Sequence, residues 1–172
     1  MEGSEGDRAR QGAAIGVEVA AGARALAASW EAIHTSRHSP ANSEAVLANT
    51  LQGISPGAAW IEMWTLGRDD MLRLAAKAEA HGLKTIEAPV TGGVHLAGQG
   101  KITVLAGGDP ELFKIHLPAF EATGWKIFHM CPLGSASVIK VFTNTLPCIH
   151  LVTDGEALML AYRSAPDLGQ AR

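Results

Sequence analysis

Short apolar runs alternate along the chain with stretches whose apolar residues recur every three to four positions. The runs predict buried β-strands at residues 32–35, 59–63, 85–90, 102–106 and 125–130. Helical spacing is strongest from Met71 to Ala78, behind Asp69 and Asp70, and Gly82 follows as a stop. Because strands and helices alternate, the pattern predicts an α/β fold with a doubly wound, mostly parallel sheet.

The same pattern is interrupted at defined points. Residues 1–10 carry glycine and charge without periodic apolar positions, so we expect no stable structure there. Asp109 and Pro110 are typical of a helix start. Pro118 and Pro147 should disturb the helices around them, because proline lacks the N–H that a helix interior uses.

Composition limits the class of protein. Of the 172 residues, 47% are hydrophobic and 18% charged, which suits one globular domain with a core. A formal net charge of −3 gives no basic footprint for nucleic acid, and no stretch is apolar and long enough for a membrane span or a signal peptide. We therefore expect no nucleic-acid or membrane partner and a cytoplasmic location.

Cysteine and histidine usage argues against a metal centre. The chain has 2 cysteines and 7 histidines, and none of them falls into a metal-ligand spacing. We expect no metal site. Cys131 and Cys148 are interpreted as buried thiols, and His129 as a packed or hydrogen-bonded side chain.

Candidate binding chemistry follows the strand predicted at residues 85–90. Thr91 supplies a hydroxyl, and Gly92 and Gly93 have no Cβ. The backbone can therefore turn sharply there and present N–H groups to an anion such as a carboxylate. Paired glycines after a strand also form plain turns, so both interpretations stay open.

A second candidate lies on the helix predicted after Gly134. Lys140 and Asn144 are four residues apart, so they project from the same face. The apolar neighbours of Lys140 argue against a fully solvated amine. It is then either an acid/base group or a lysine whose stem packs on the core while its ammonium reaches water.

Together the two motifs resemble those of the β-hydroxyacid dehydrogenase family, which includes 3-hydroxyisobutyrate and 6-phosphogluconate dehydrogenases. That family has Asp-Ala-Pro-Val-Ser-Gly-Gly at its substrate site and Gly-x-Gly-x-x-x-Lys-x-x-x-Asn around a catalytic lysine. In this chain Glu87 replaces the Asp, Thr91 the Ser, and Ala136 the second Gly of the lysine motif. The similarity extends over most of the chain and keeps the family's order of elements.

The resemblance implies NAD(P)-dependent oxidation of a small β-hydroxy acid. The cofactor, NAD or NADP, would take a hydride from the hydroxyl carbon, and Lys140 would accept the hydroxyl proton as general base. Asn144 would hold the lysine or the hydroxyl. The substrate carboxylate would be held by Thr91, Gly92 and Gly93.

The resemblance also implies cofactor contacts and a domain organisation. Pro40 and Thr65 match positions at which the family approaches the cofactor. The expected organisation is a partial, incomplete Rossmann-type domain at residues 1–132, followed at 133–172 by the first helix of a helical domain. Apolar residues of that helix, at 141, 146, 151, 158 and 160, should lie exposed, so we expect a homo-oligomer.

Two parts of the family pattern are not found in this sequence. No Gly-x-Gly-x-x-Gly turn, which carries the cofactor pyrophosphate, occurs before Ala32. The chain also stops at Arg172, just past the long helix, so we expect a chain truncated at both ends. The alternative function is a catalytically inactive fragment or pseudoenzyme that serves as a binding or dimerising module.

Overall fold

The computed structural model of the protein describes residues 5–164. Within them seven helices and six strands follow one another. The helices are α1 (Glu5–Ala14), α2 (Ala23–Ala27), α3 (Pro40–Leu51), α4 (Arg68–Glu79), α5 (Gly93–Ala97), α6 (Pro110–Thr123) and α7 (Ser135–Ser164). The strands are β1 (Ala32–Thr35), β2 (Ala59–Glu62), β3 (Lys84–Glu87), β4 (Val90–Thr91), β5 (Thr103–Gly108) and β6 (Lys126–His129).

The described residues form two compact units. The first comprises residues 5–62 and 73–85, and the second comprises residues 63–72 and 86–164. Each unit has its own buried strand: β2 is buried along its whole length in the first, and β5 is buried from Val104 onwards in the second.

In the first unit β1 and β2 run parallel, with Ala32 opposite Ala59 and Thr35 opposite Glu62. Trp60 Nε1 donates to Thr35 Oγ1 at 2.8 Å, and the Thr35 hydroxyl donates to Glu62 Oε2 at 2.8 Å. All three side chains are buried. One hydroxyl thus satisfies a buried indole N–H and a buried carboxylate together, which offsets the cost of their desolvation.

The second unit is built around β5. Strands β3 and β4 pair with it antiparallel, and β6 pairs with it parallel from Thr103 opposite Lys126 to Ala106 opposite His129. Helix α6 packs against β5 and β6, and α7 packs against β5 and β4. The side chains of Ile86, Val104 and Phe120 are fully buried in this unit.

The predicted α/β class with a mostly parallel sheet and a long final helix is confirmed. The parallel pairings of β1 with β2 and of β5 with β6 span four residues each, whereas the antiparallel pairings of β3 and β4 with β5 span two each. The strand predicted at 85–90 is instead divided into β3 and β4. Both parts run antiparallel to β5, an orientation that the predicted parallel sheet did not include.

Three local predictions were wrong. Residues 5–14 form α1, in which the Arg10 guanidinium pairs with Asp7 one turn away. Pro118 and Pro147 both lie inside unbroken helices. Both prolines are exposed, so water can satisfy the carbonyl groups that lose their helical N–H partner.

Candidate functional site

Lys140 lies on the buried face of the first turns of α7. Its side chain is only 8% exposed, and Ala136 and Ser137, one turn earlier, are buried with it. Burial lowers the pKa of Lys140 from its ordinary value of 10.5, because desolvation penalises the ammonium form. Among the described residues no side-chain hydrogen bond to its amine is present. A lysine in this setting can carry a neutral amine more readily than a solvated one.

Thr91, Gly92 and Gly93 form the exit from β4 in the same unit. Gly92 and Gly93 have φ values of +128° and +67°, in the region that favours glycine. A Cβ on Gly92 would lie 3.2 Å from the Leu96 side chain, so the turn is also tight there. Helix α7 packs against β4, which brings the elements that carry Thr91 and Lys140 together.

Asn144 occupies a different environment from Lys140. It lies one turn further along α7 and is exposed. Within the described chain the structure forms no hydrogen bond between the two side chains. The helix turn between them is instead closed by Thr143 Oγ1, which donates to the Lys140 carbonyl at 2.9 Å. The predicted partnership of Asn144 with Lys140 therefore stays a prediction.

The two predicted cofactor contacts belong to different units. Pro40 is the first residue of α3, behind Ser39, whose hydroxyl accepts from the Asn42 N–H at 3.2 Å. This N-cap, followed by a proline at the first helical position, sets the start of α3. Thr65 comes three residues after the end of β2 and belongs to the second unit. Both Pro40 and Thr65 are partly exposed.

Glu87 is the functional side chain that sequence reasoning missed. Its carboxylate is fully buried at the end of β3 and accepts from the backbone N–H groups of Ala136 at 3.0 Å and Ser137 at 2.9 Å. The Ser137 hydroxyl donates to it as well. The sequence marked Glu87 only as a substitution within a motif. Its partners lie 49 and 50 residues further along, beyond any local pattern.

The two cysteines were predicted to be buried, and this was wrong: both are exposed. Cys131 Sγ lies 3.1 Å from His129 Nδ1, while His129 Nε2 lies 2.9 Å from the Gly108 carbonyl and its ring stacks on Phe113 at 4.5 Å. Because a carbonyl can only accept, the Nε2 atom carries the proton and Nδ1 accepts from the thiol. His129 is hydrogen-bonded and packed, as predicted.

Two negative findings apply to residues 5–164. No helix in this part of the chain is long and apolar enough to cross a membrane. The same residues bring together no group of three or more His, Cys, Asp and Glu side chains that could hold a metal ion.

Residues 4–131 match the family model described as the NAD binding domain of 6-phosphogluconate dehydrogenase, so the chain belongs to this family. The family resemblance predicted from the two motifs is thereby confirmed. The predicted cofactor class, NAD or NADP, is confirmed at the level of the family.

The chain matches only part of the length of its curated relatives. The chain is 36% identical over 110 residues to an NAD-dependent L-serine dehydrogenase of Pseudomonas aeruginosa, covering 64% of this chain and 37% of that protein. It is 32% identical over 114 residues to the human cytokine-like nuclear factor N-PAC, covering 66% of this chain and 21% of that protein. The chain thus spans well under half the length of these relatives.

A solved structure supports the fold over nearly the whole chain. The Mycobacterium tuberculosis 3-hydroxyisobutyrate dehydrogenase, solved with L-serine, matches with a TM-score of 0.90 and 26% identity. The match covers 95% of this chain and 56% of that chain. Hydroxyacid dehydrogenases are therefore among its similar proteins both in sequence and in structure.

The residues that the family resemblance assigns to the cofactor lie one in each unit. In open α/β sheets ligands bind beyond the carboxyl ends of the strands, and the segments that follow β1 and β2 carry the partly exposed Pro40 and Thr65. The pyrophosphate normally rests on a glycine-rich turn, and the sequence has no Gly-x-Gly-x-x-Gly. Pro40 and Thr65 therefore stay predicted cofactor contacts.

Proposed function

We propose that the chain is part of an NAD(P)-dependent oxidoreductase of the 3-hydroxyisobutyrate dehydrogenase type, which oxidises a small β-hydroxy acid with Lys140 as general base. The observation that carries the proposal is the burial of Lys140 on α7, next to the strand that ends at Thr91. Family membership and the similarity to an L-serine dehydrogenase support the substrate class. The particular hydroxy acid and the choice of NAD or NADP stay open.

The chemistry follows from what each side chain can do. Desolvation lowers the pKa of Lys140, which favours a neutral amine that accepts the substrate hydroxyl proton. Thr91, Gly92 and Gly93 hold the substrate carboxylate and so fix the distance from the hydroxyl to the amine. Asn144 orients the hydroxyl from the next turn of α7. Pro40 and Thr65 would each contact the nicotinamide cofactor, which would supply the hydride acceptor.

The proposal includes the wider setting of the chain. We propose a small β-hydroxy acid as its partner, no nucleic-acid or membrane partner, a cytoplasmic location, and a domain division at 1–132 and 133–172. The last eight residues of this division lie outside the described part of the chain.

Homo-oligomerisation is proposed from the surface of α7. Val141, Leu146, Leu151, Leu158 and Leu160 are between 43% and 75% exposed, as predicted. Exposed apolar side chains along a helix favour association. Light scattering should give a mass above 18.0 kDa per particle, and Leu151→Glu with Leu158→Glu should lower it. A monomer without dye-binding apolar surface would contradict this part of the proposal.

A second candidate function is a catalytically inactive binding or dimerising module. It is favoured by the lack of a glycine turn in the sequence and by the similarity to N-PAC, which is named as a nuclear factor. Calorimetric titration with NADH and NADPH separates the candidates. Binding at micromolar concentration supports the oxidoreductase, whereas no binding at millimolar concentration supports the module.

The catalytic assignment is tested by substituting Lys140. With 3-hydroxyisobutyrate or L-serine as substrate, Lys140→Ala should lower kcat by ~10²–10⁴ because the general base is lost. Lys140→Arg should be nearly as slow, since a guanidinium stays charged. The cofactor Kd should hardly change in either variant.

The matched control is Lys84→Ala, which removes an exposed lysine of the first unit and should keep full turnover. Thr91→Ala should raise KM more than it lowers kcat, because Thr91 is assigned to substrate binding. Near-normal turnover of Lys140→Ala would refute the role of Lys140.

A further inference from the structure

We propose that Glu87 is a positioning residue, which sets the place of Lys140 by anchoring the first turn of α7, and that Gly107 provides the space for its carboxylate. The inference rests on the proposed role of Lys140. It concerns a residue that does not contact the reacting atoms in that proposal.

The anchor is a two-point contact at the start of a helix. The first N–H groups of a helix have no partner within it, and Glu87 accepts from two of them, at 3.0 Å from Ala136 and 2.9 Å from Ser137. A charged acceptor strengthens both bonds, and complete burial excludes competing water. Two oxygens bound to consecutive N–H groups fix the position and the rotation of the helix start.

Lys140 follows this anchor by three residues, less than one turn of helix. Its side chain shares the buried face of Ala136 and Ser137, so a rotation of the first turn would carry its amine towards solvent. Beyond Lys140 only Thr143 and Ala161 are less than exposed among the described residues of α7. The packing that could otherwise hold the helix is thus confined to its beginning.

Gly107 makes the anchor possible. It lies opposite Glu87 in the antiparallel pairing of β3 with β5. A Cβ at residue 107 would lie 2.3 Å from Glu87 Oε1 and 3.0 Å from both Cδ and Cγ. No real Cβ tolerates the first of these distances. Gly107→Ala should therefore displace the carboxylate while leaving Glu87 in the sequence.

The readout is the titration of Lys140 itself, followed by NMR on a chain with ¹³Cε-labelled lysines. The sequence has six lysines, so each signal can be assigned by substitution. Glu87→Ala should move the Lys140 midpoint towards those of the exposed lysines, because its amine gains solvent. In Glu87→Asp the Lys140 midpoint should move less than in Glu87→Ala. In Glu87→Gln the midpoint should lie between those of the unsubstituted chain and of Glu87→Ala.

The matched control is Asp109→Ala. Asp109 caps α6 in the same unit, where one carboxylate oxygen accepts from the N–H groups of Glu111 at 3.0 Å and Leu112 at 2.8 Å. Its loss removes the same kind of bonds from a helix that does not carry Lys140. The control should therefore destabilise the protein without moving the Lys140 midpoint.

A double substitution tests the part played by Gly107. Gly107→Ala should move the Lys140 midpoint as far as Glu87→Ala does, and adding it to Glu87→Ala should move the midpoint no further. In an active preparation, each single variant should lose up to ~10²-fold in kcat, the scale of a misplacement of about 1 Å. KM should change less than kcat.

The outcomes distinguish a positioning role of Glu87 from a general loss of stability, and failure of that role from failure of the proposed function. An unchanged Lys140 midpoint in Glu87→Ala, or an equal change in Asp109→Ala, overturns the inference. If Glu87→Ala does not fold, the Glu87→Gln titration decides by the same criteria. If the unsubstituted chain does not turn over substrate but the midpoint moves as expected in the variants, the proposed function fails and the anchor stands.

Discussion

Replacing Lys140 with methionine should stabilise the protein, and the gain should depend on pH. Methionine keeps an unbranched stem of similar length on the buried face of α7 and has no charge to desolvate. The structure leaves the Lys140 side chain only 8% exposed, and desolvation lowers the pKa of its ammonium. The folded state therefore holds the Lys140 proton more weakly than the unfolded chain, in which the pKa is near 10.5.

The sign and size of the effect follow from proton linkage. Below the lowered folded-state pKa both states bind the proton, so the full desolvation cost is present and does not vary with pH. Between that pKa and 10.5 the unfolded state binds more protons, so stability rises with pH by up to about 1.4 kcal/mol per pH unit. Above pH 10.5 the Lys140 amine is neutral in both states, so the desolvation cost is absent. Lys140→Met should remove this rise.

Urea unfolding between pH 6 and pH 10 measures the difference directly. The free energy of unfolding of Lys140→Met should exceed that of the unsubstituted chain most at neutral pH, and the gap should narrow towards pH 10. Lys84→Met is the control, because Lys84 is exposed. The free energy of unfolding of Lys84→Met should differ little from that of the unsubstituted chain, and the difference should not vary with pH. A gap for Lys140→Met that is absent or independent of pH would refute the desolvation argument, and with it the support for a neutral base.

Two further predictions concern other polar contacts. Thr35→Val should lower the free energy of unfolding by about 1–3 kcal/mol for each buried group that loses its bond, while Thr35→Ser should restore most of it, as urea unfolding will show. The groups that lose a hydrogen bond are the Trp60 indole N–H and the Glu62 carboxylate. Cys131 should react with iodoacetamide faster than the exposed Cys148, because His129 can take the thiol proton; mass spectrometry should find equal rates in His129→Phe, and a persisting difference would contradict the pairing.

Local chemistry explains which parts of the fold could be predicted. Asp109 and Pro110 start α6 as expected, because the cap and the fixed proline φ act within one turn. Strand β2 was recognised from the apolar residues that begin it, Ala59, Trp60 and Ile61, all of which are buried. Pro147 misled the prediction, because the lost helical bond faces water on an exposed helix and costs less than it would in a core.

The candidate site was only partly predictable, for a different reason. The residues around Lys140 are apolar on all sides, so the sequence alone could not tell a buried amine from one that reaches water. The structure decides this through the packing of α7 on β5 and β4, which joins distant segments. Glu87 and Gly107 depend on the register of β3 with β5, and no single-sequence pattern specifies that register.

Association through the exposed surface of α7 would be coupled to the protonation of Lys140. Asn144 lies one turn after Lys140, and Val141 and Phe142 in the same turn are exposed. A second chain that covers this surface would remove water from the same turns and so disfavour the ammonium further. By linkage, loss of the Lys140 proton must then favour association to the same extent. Under the proposed association, proton affinity at the proposed base and assembly at the helix surface would be linked.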